Sequence, residues 1–256
     1  MKRRKISAFI PVQNVSDIIE STLNSIQWVD EIYIVDGYST DNTVEICQRY
    51  PKVKIVQHDY ENSGAQRMWG MPQVKYDWIF VIDSDEICTP ELQNSIEEIL
   101  STESSKYDGY RVRIKTKLFG KVLNHDHYLG WSGMRLFKKE VIDNYKLKRV
   151  HSKMNIIPEG NVTGEGAFII HEPIRDFTEA IKKMIRYAEW AAQDMFENNK
   201  KAHWYHLTIR PLYKFFVLYT IRLGFLDGIR GLILCGMASF SVFLKYFKLF
   251  FLQVKE

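Results

Sequence analysis

The chain has 256 residues, 46% hydrophobic and 26% charged, which is the composition of a globular protein and excludes disordered, collagen-like and mucin-like chains. That length suits one α/β domain with an appended segment. The formal charge of +4 is unevenly spread: from Lys200 onward nine Lys/Arg face only Asp227 and Glu256, so that stretch carries +7 and the first 199 residues carry −3.

Met1-Lys2-Arg3-Arg4-Lys5 starts like a signal peptide, but the apolar run that follows, Ile6 to Val12, is too short for one and lacks a small-residue cleavage site. Secretion is therefore not expected. Cys47, Cys88 and Cys235 are scattered and odd in number, which argues against a disulfide framework or zinc site and fits a reducing compartment.

The first hundred residues alternate short β-rich apolar runs with helical patterns, the signature of βαβ units and a mostly parallel sheet. Ile6 to Val12 is the first predicted strand, followed by a helix capped by Ser16 and running to about Ile26. Glu31 to Val35 is the second strand and ends in Asp36-Gly37. A helix starts at Asp41 or Asn42, a third strand covers Val53 to Val56, and a helix covers about Ala65 to Val74. Trp78 to Ile82 is a fourth, wholly apolar strand that enters Asp83-Ser84-Asp85-Glu86. Thr89-Pro90 then starts a helix to about Leu100. From Gly109 the texture turns to further strands with long loops, and after Pro173 it is helical to the end. The expected division is a catalytic domain over 1–173 and a helical region over 174–256.

Asp83 and Asp85 follow the fourth strand at the edge where open α/β sheets bind ligands. A turn there brings both carboxylates to one place, and two hard oxygen donors suit Mg²⁺ or Mn²⁺ shared with substrate phosphates. Taken alone, the Asp-x-Asp spacing is equally a solvated turn. Asp36 lies at the same edge, placed to accept from a ribose hydroxyl or base N–H. Asp41 reads as a helix cap. Gly64-Ala65-Gln66-Arg67 opens a helix, and a helix start followed by Arg favours anions.

The series Ile10-Pro11-Val12-Gln13-Asn14, Val35-Asp36-Gly37, Gly64-Ala65-Gln66-Arg67 and Ile82-Asp83-Ser84-Asp85-Glu86 resembles the family 2 glycosyltransferases, in particular the bacterial group with lipopolysaccharide-core β-glucosyltransferases. The likeness continues through Arg135-Leu136-Phe137, Val150-His151 and the stretch Gly224 to Gly231. It implies a GT-A fold, a nucleotide-sugar donor with a UDP-sugar foremost, and Pro11, Asp36 and Arg67 lining the nucleotide site. It also implies Asp83 and Asp85 facing metal and diphosphate, inversion at the anomeric carbon, and a role in cell-envelope polysaccharide or lipopolysaccharide synthesis.

Related sequences often read Val-His-Glu where this chain has Val150-His151-Ser152, and often carry Asp where it has Trp131. The general base is thus open among Asp126, His151, Glu165 and Glu172, with Glu165 preferred. Arg135 is a candidate for balancing phosphate charge, and His171 for metal or phosphate contact.

Leu212 to Phe251 is dense in aromatic and aliphatic residues interrupted by Lys and Arg, and its longest uncharged run, Gly231 to Leu244, is 14 residues. That is short of the roughly 20 needed to span a bilayer, so helices lying on an anionic membrane surface are expected. The enzyme is then peripheral on the cytoplasmic side of the plasma membrane, with a saccharide or lipid-linked acceptor. Packing on the catalytic domain or on a second subunit of a homo-oligomer is the competing use of this region. No nucleic-acid partner is expected. The alternatives carried are a non-catalytic nucleotide-binding membrane scaffold and a sugar-nucleotide pyrophosphorylase. The latter normally has a Gly-rich loop after its first strand, where this chain has Pro11-Val12-Gln13-Asn14.

Overall fold

The structure is a computed structural model that describes residues 3–102, 105–125, 132–146, 153, 154, 156 and 158–254. Asp126, Trp131, Val150, His151 and Ser152 therefore lie outside the described residues. Two compact units divide the chain: Met1–Ile114 with Ser132–His171, and Lys115–Trp131 with Glu172–Glu256.

The first unit is built on β1 (Ile6–Val12), β2 (Glu31–Asp36), β3 (Val53–Gln57) and β4 (Trp78–Val81). They pair in parallel in the order β3-β2-β1-β4. Every residue of β1, β2 and β4 is buried, which is why these strands read as unbroken apolar runs: helices cover both faces of a parallel sheet. The side-chain period of two sorts β1 between the layers. Ile6, Ala8, Ile10 and Val12 join a core with Leu23 and Ile26 and with Leu92, Ile96 and Leu100; Phe9 joins another with Tyr33, Val35 and Met71.

Four helices accompany these strands: α1 (Ile19–Ser25), α2 (Thr43–Gln48), α3 (Ser63–Gly70) and α4 (Pro90–Ser101). The start of α4 is as expected, with the Thr89 side chain accepting from the Leu92 amide and Pro90 in the first turn. By contrast, α1 begins at Ile19 and not at Ser16, because the Ser16 amide donates to Asp41 on another loop and Val15 to Ile18 form a turn. Similarly, α3 starts at Ser63, capped by Asn62, whose side chain accepts from the Ala65 amide.

The remaining strands are β5 (Glu86–Cys88), β6 (Gly109–Leu118), β7 (Lys121–Val122), β8 (Ser132–Lys138), β9 (Tyr145–Lys146), β10 (Lys153–Met154), β11 (Glu159–Asn161) and β12 (Ile169–His171). β8 continues the sheet antiparallel to β4, and β6 lies antiparallel to β8. β5 and β12 pair antiparallel, with His171 opposite Glu86. The chain moves outward from β1 through β2 to β3, then returns to place β4 on the other side of β1. At such a reversal of strand order, open α/β sheets bind ligands at the carboxyl ends of the flanking strands, here β1 and β4.

The second unit holds α5 (Phe177–Glu197), α6 (Trp204–Leu207), α7 (Ile209–Phe216) and α8 (Gly228–Val254). Buried Ala192 on α5 packs with Tyr246 and Leu249 of α8, and Leu118 and Leu123 pack with Leu234. The residues 115–131, which the expected boundary left in the first unit, thus belong to this helical one. The stretch Gly224–Val254, 31 residues long, is long and apolar enough to cross a membrane, although its uncharged run is shorter.

Candidate active site

The carboxyl end of β4 passes directly into a tight turn. The Glu86 amide donates to the Asp83 carbonyl at 3.1 Å, the Asp83 amide donates to Glu86 Oε2 at 2.8 Å, and Thr22 Oγ1 of α1 donates to the Ser84 carbonyl at 2.8 Å. This is the turn needed to bring the alternating acids to one place.

Two arginines from different elements converge on it. Arg67, from the second turn of α3, pairs with Asp83 Oδ1; Arg135, from the middle of β8, reaches Asp83 Oδ2 at 3.3 Å and Glu86 Oε1 at 2.5 Å. Burial would raise the Asp83 carboxyl, but the guanidiniums of Arg67 and Arg135 outweigh it and hold it well below the usual carboxylate range. Burial pushes the Glu86 carboxyl up, with Asp83 reinforcing the push and Arg135 opposing it. On the other side of the turn, His171 Nδ1 at the end of β12 lies 3.4 Å from Asp85 Oδ1. Asp83, Asp85, Arg67, Arg135 and His171 are therefore gathered in one cluster.

Glu86 was not singled out from the sequence. Its signal was present: in Glu86-Ile87-Cys88 the carboxylate shares the buried face with Cys88, and a carboxylate on such a face requires a cation.

Among the described residues, no group of three or more His, Cys, Asp or Glu side chains is arranged to hold a metal alone. Both Asp83 oxygens face arginines, so the metal trio expected from Asp83, Asp85 and His171 is not assembled as such. Asp85 and His171 do fit a divalent ion. Adjacent ligands at roughly 2.1 Å from an octahedral ion sit about 3 Å apart, near the observed 3.4 Å, and Mg²⁺-type sites use one or two carboxylates and fill the rest with phosphate and water.

Asp36 ends β2 fully buried. It accepts from Ser39 Oγ at 2.5 Å and from Gln57 Nε2 at 3.1 Å. The loop after it is laced to the loop after β1: Thr40 N donates to Asn14 Oδ1, Asn14 N to Ser39 Oγ, and Ser16 N to Asp41 Oδ2. Pro11 is buried in β1 opposite Val35. Both therefore lie toward the carboxyl ends of adjacent strands, Asp36 held there by its side-chain hydrogen bonds.

Glu165 is placed elsewhere. It is exposed in a turn between Gly164 (φ 145°) and Gly166 (φ 80°) that is tied to α4, Thr89 Oγ1 donating to the Gly166 carbonyl and Ser95 Oγ to the Thr163 carbonyl. No contact among the described residues joins it to the acidic turn. Glu172 pairs with Lys117 at 3.2 Å in the second unit.

The family model for glycosyl transferase family 2 matches residues 7–159, which contain the whole cluster except His171. The chain is a family 2 glycosyltransferase. The lipopolysaccharide core biosynthesis glycosyltransferase LpsC of Rhizobium meliloti is 28% identical over 242 residues, covering 92% of this chain and 85% of its own. An uncharacterized glycosyltransferase of Rickettsia conorii is 25% identical, covering 96% of this chain and 89% of its own. Among solved structures, Staphylococcus aureus TarS 1-349 in complex with UDP-GlcNAc superposes with TM-score 0.56 at 14% identity, over 98% of this chain and 92% of that one. The mannosyltransferase PcManGT of Pyrobaculum calidifontis, in complex with GDP-Man and Mn²⁺, gives 0.55 at 12%, over 99% and 87%. These two share the fold with the glycosyltransferase, which is GT-A.

Proposed function

We propose that this glycosyltransferase moves a hexosyl unit, with inversion, from a UDP-sugar to a saccharide or lipid-linked acceptor in lipopolysaccharide-core or related cell-envelope synthesis. The LpsC likeness supports the pathway. The observation that carries the donor site is the convergence of Arg67 and Arg135 on the Asp83–Glu86 turn. By formal charge, Arg67, Arg135, Asp83, Glu86 and Asp85 sum to −1, a balance suited to a divalent cation and the diphosphate it accompanies.

In this reading Asp85 and His171 would hold Mg²⁺ or Mn²⁺ with Asp83 beside them, and Arg67 and Arg135 would bind the diphosphate oxygens. A bound ion would supply Lewis-acid stabilisation of the departing diphosphate. Pro11 and Asp36 bound the nucleoside, with the buried Asp36 fixing the loop at Ser39. The proposed base is Glu165. That role requires the Gly164–Gly166 turn to come within hydrogen-bond reach of the acceptor hydroxyl at the anomeric carbon, and Glu165→Gln then lowers kcat by 10²–10⁴. An unchanged rate passes the role to Asp126 or His151. We place the enzyme at the cytoplasmic surface of the plasma membrane, held by its C-terminal helices.

The test of the donor site is thermal unfolding with UDP, GDP and their sugars, with and without Mn²⁺. A ligand at a hundredfold excess over its Kd stabilises by about 2.7 kcal/mol. A metal-dependent shift that Asp85→Ala abolishes supports the assignment, and the absence of any shift overturns it.

A further inference from the structure

The amino ends of the first unit's strands hold a cleft that the acidic turn, at the carboxyl end of β4, does not reach. Ile6 of β1 lies opposite Trp78 of β4, and Trp78 lies opposite Lys138 of β8, so the residues just before β1 and β4 meet those at the end of β8 along one edge of the sheet. Between them lies a cleft of about 420 Å³. The run from Trp78 to Asp83, on the order of 17 Å at about 3.3 Å per residue, separates it from the turn. Arg4, Lys5, Lys75, Lys138 and Lys139 give the cleft five cations against two acids, Asp77 and Glu140.

Lys138 is matched by carboxylates: its Nζ lies 2.7 Å from Asp108 and 3.5 Å from Glu140. Among the described residues, the other four cations form no ion pair. The Arg4 guanidinium donates to the Ile99 and Leu100 carbonyls at 2.8 and 3.2 Å and lies 5.1 Å from the Trp78 ring centre, and Lys139 Nζ donates to the Val74 carbonyl at 2.9 Å. The Lys5 and Lys75 ammoniums lie 5.2 and 5.3 Å from the centre of the Tyr76 ring. Carbonyls and ring faces attract a cation without cancelling its charge. Counting Asp77, Glu140 and Asp108 against the five cations leaves a formal +2, the match of a dianion.

The backbone that carries these cations is fixed in advance. The buried Ser7 hydroxyl donates to Glu31 Oε2 at 2.5 Å, the Lys75 amide donates to the same oxygen at 2.7 Å, and the Tyr76 amide donates to Ser7 Oγ at 3.1 Å. The Lys139 amide donates to the Asp77 carbonyl at 2.7 Å. Binding therefore orders lysine side chains and little else. At about 30 Å³ per water the cleft has room for on the order of 14 waters, more than a bare phosphate displaces, and it falls at the small end of ligand pockets. Asp77 and Glu140, both exposed, suit hydroxyl donors and repel an extended polyanion. Among the described residues, none of the exposed large apolar side chains lines the cleft, so it offers nothing to enter a bilayer.

We propose that this cleft binds a small phosphate monoester with a hydroxylated body of sugar size: Lys5, Lys75 and Lys139 take the phosphate oxygens, and Asp77 and Glu140 accept from the hydroxyls. It is a second anion site, on the edge of the sheet opposite the acidic turn, and it does not depend on the donor assignment.

The test is isothermal titration calorimetry of the full chain at low salt with glucose 6-phosphate, ribose 5-phosphate, glycerol 3-phosphate and orthophosphate. At least one of the three esters binds saturably and more tightly than orthophosphate, and binding weakens as KCl rises toward 1 M, where charges are screened beyond about 3 Å. At roughly two- to fivefold per half-exposed lysine, Lys5→Gln/Lys75→Gln/Lys139→Gln weakens it about tenfold to a hundredfold while the urea midpoint stays at the wild-type value. Should that midpoint fall, Lys75→Glu, a reversal on an exposed side chain, decides by the same loss of binding. No saturable binding of any ester by the wild type overturns the proposal. Wild-type-like binding by the folded variant places the ester elsewhere and overturns it too. Orthophosphate binding as tightly as the esters makes this a free-phosphate site without a place for the body. Lysine-dependent sedimentation with phosphatidylglycerol vesicles that glucose 6-phosphate does not compete away assigns the cations to lipid headgroups; either result overturns the proposal.

Discussion

Replacing Arg135 by Leu tests whether the acidic turn depends on its buried cation. The change leaves Glu86, whose side chain is 3% exposed, beside the Asp83 carboxylate with no guanidinium. Removing one partner of a buried pair costs about 3–5 kcal/mol. Because burial already pushes the Glu86 carboxyl up, protonation offers partial relief, which sets the expectation at the low end, about 3 kcal/mol. With urea m-values of about 1–3 kcal/mol/M, the unfolding midpoint falls by about 1–3 M, read by tryptophan fluorescence. Adding Glu86→Gln removes the stranded charge and restores about 2 kcal/mol. Arg135→Lys keeps the charge but loses the fork that spans Asp83 and Glu86, and falls between wild type and Leu. A cost under about 1 kcal/mol for Arg135→Leu, or a double variant weaker than the single, refutes the reasoning.

Other outcomes follow from single contacts. Asp85→Ala leaves the urea midpoint near wild type and removes the Mn²⁺-dependent part of the UDP thermal shift; retention of that part refutes Asp85 as a metal donor. Asp41 accepts from the Ser16 amide, the Thr43 amide and the Thr43 hydroxyl, so Asp41→Ala costs about 1 kcal/mol in denaturant unfolding. Burial opposes but those hydrogen bonds lower its carboxyl to about 2, below its unfolded value, so the contribution is full above about pH 4 and disappears as pH falls to about 2; the wild-type and variant stability curves should converge there. A Cβ at Gly231 would sit 1.9 Å from the Gly224 carbonyl oxygen, so Gly231→Ala costs about 1–3 kcal/mol, visible as a lower Tm.

The parallel strands were legible because full burial writes itself as unbroken apolar runs, and the α4 start because Thr89-Pro90 is a local signal. What escaped was non-local. Ser16 has the chemistry of a cap, yet its amide is taken by Asp41, 25 residues away. β5 and β12, three residues each, are too short to carry periodicity. β6 runs without a break from Gly109 to Leu118, so nothing in its pattern marks Ile114 as the end of one unit. In the site, the Asp-x-Asp spacing identified the acids, but the partnership of Arg67 with Asp83 and of Arg135 with Glu86 joins α3, β8 and a turn, and only the fold supplies that.

The double hold on Asp83 makes the carboxylate a tethered stand-in for phosphate. An anion entering the crevice competes with a rival covalently fixed beside both guanidiniums, and such a rival acts at high effective concentration. Free orthophosphate, offering charge alone, is at a disadvantage against it. On the proposed donor reading, a diphosphate arriving with its own divalent cation would offer an exchange, giving Asp83 a new counter-charge as it surrenders the old ones. The resting electrostatics of the turn would then favour such a donor over small anions that carry no cation.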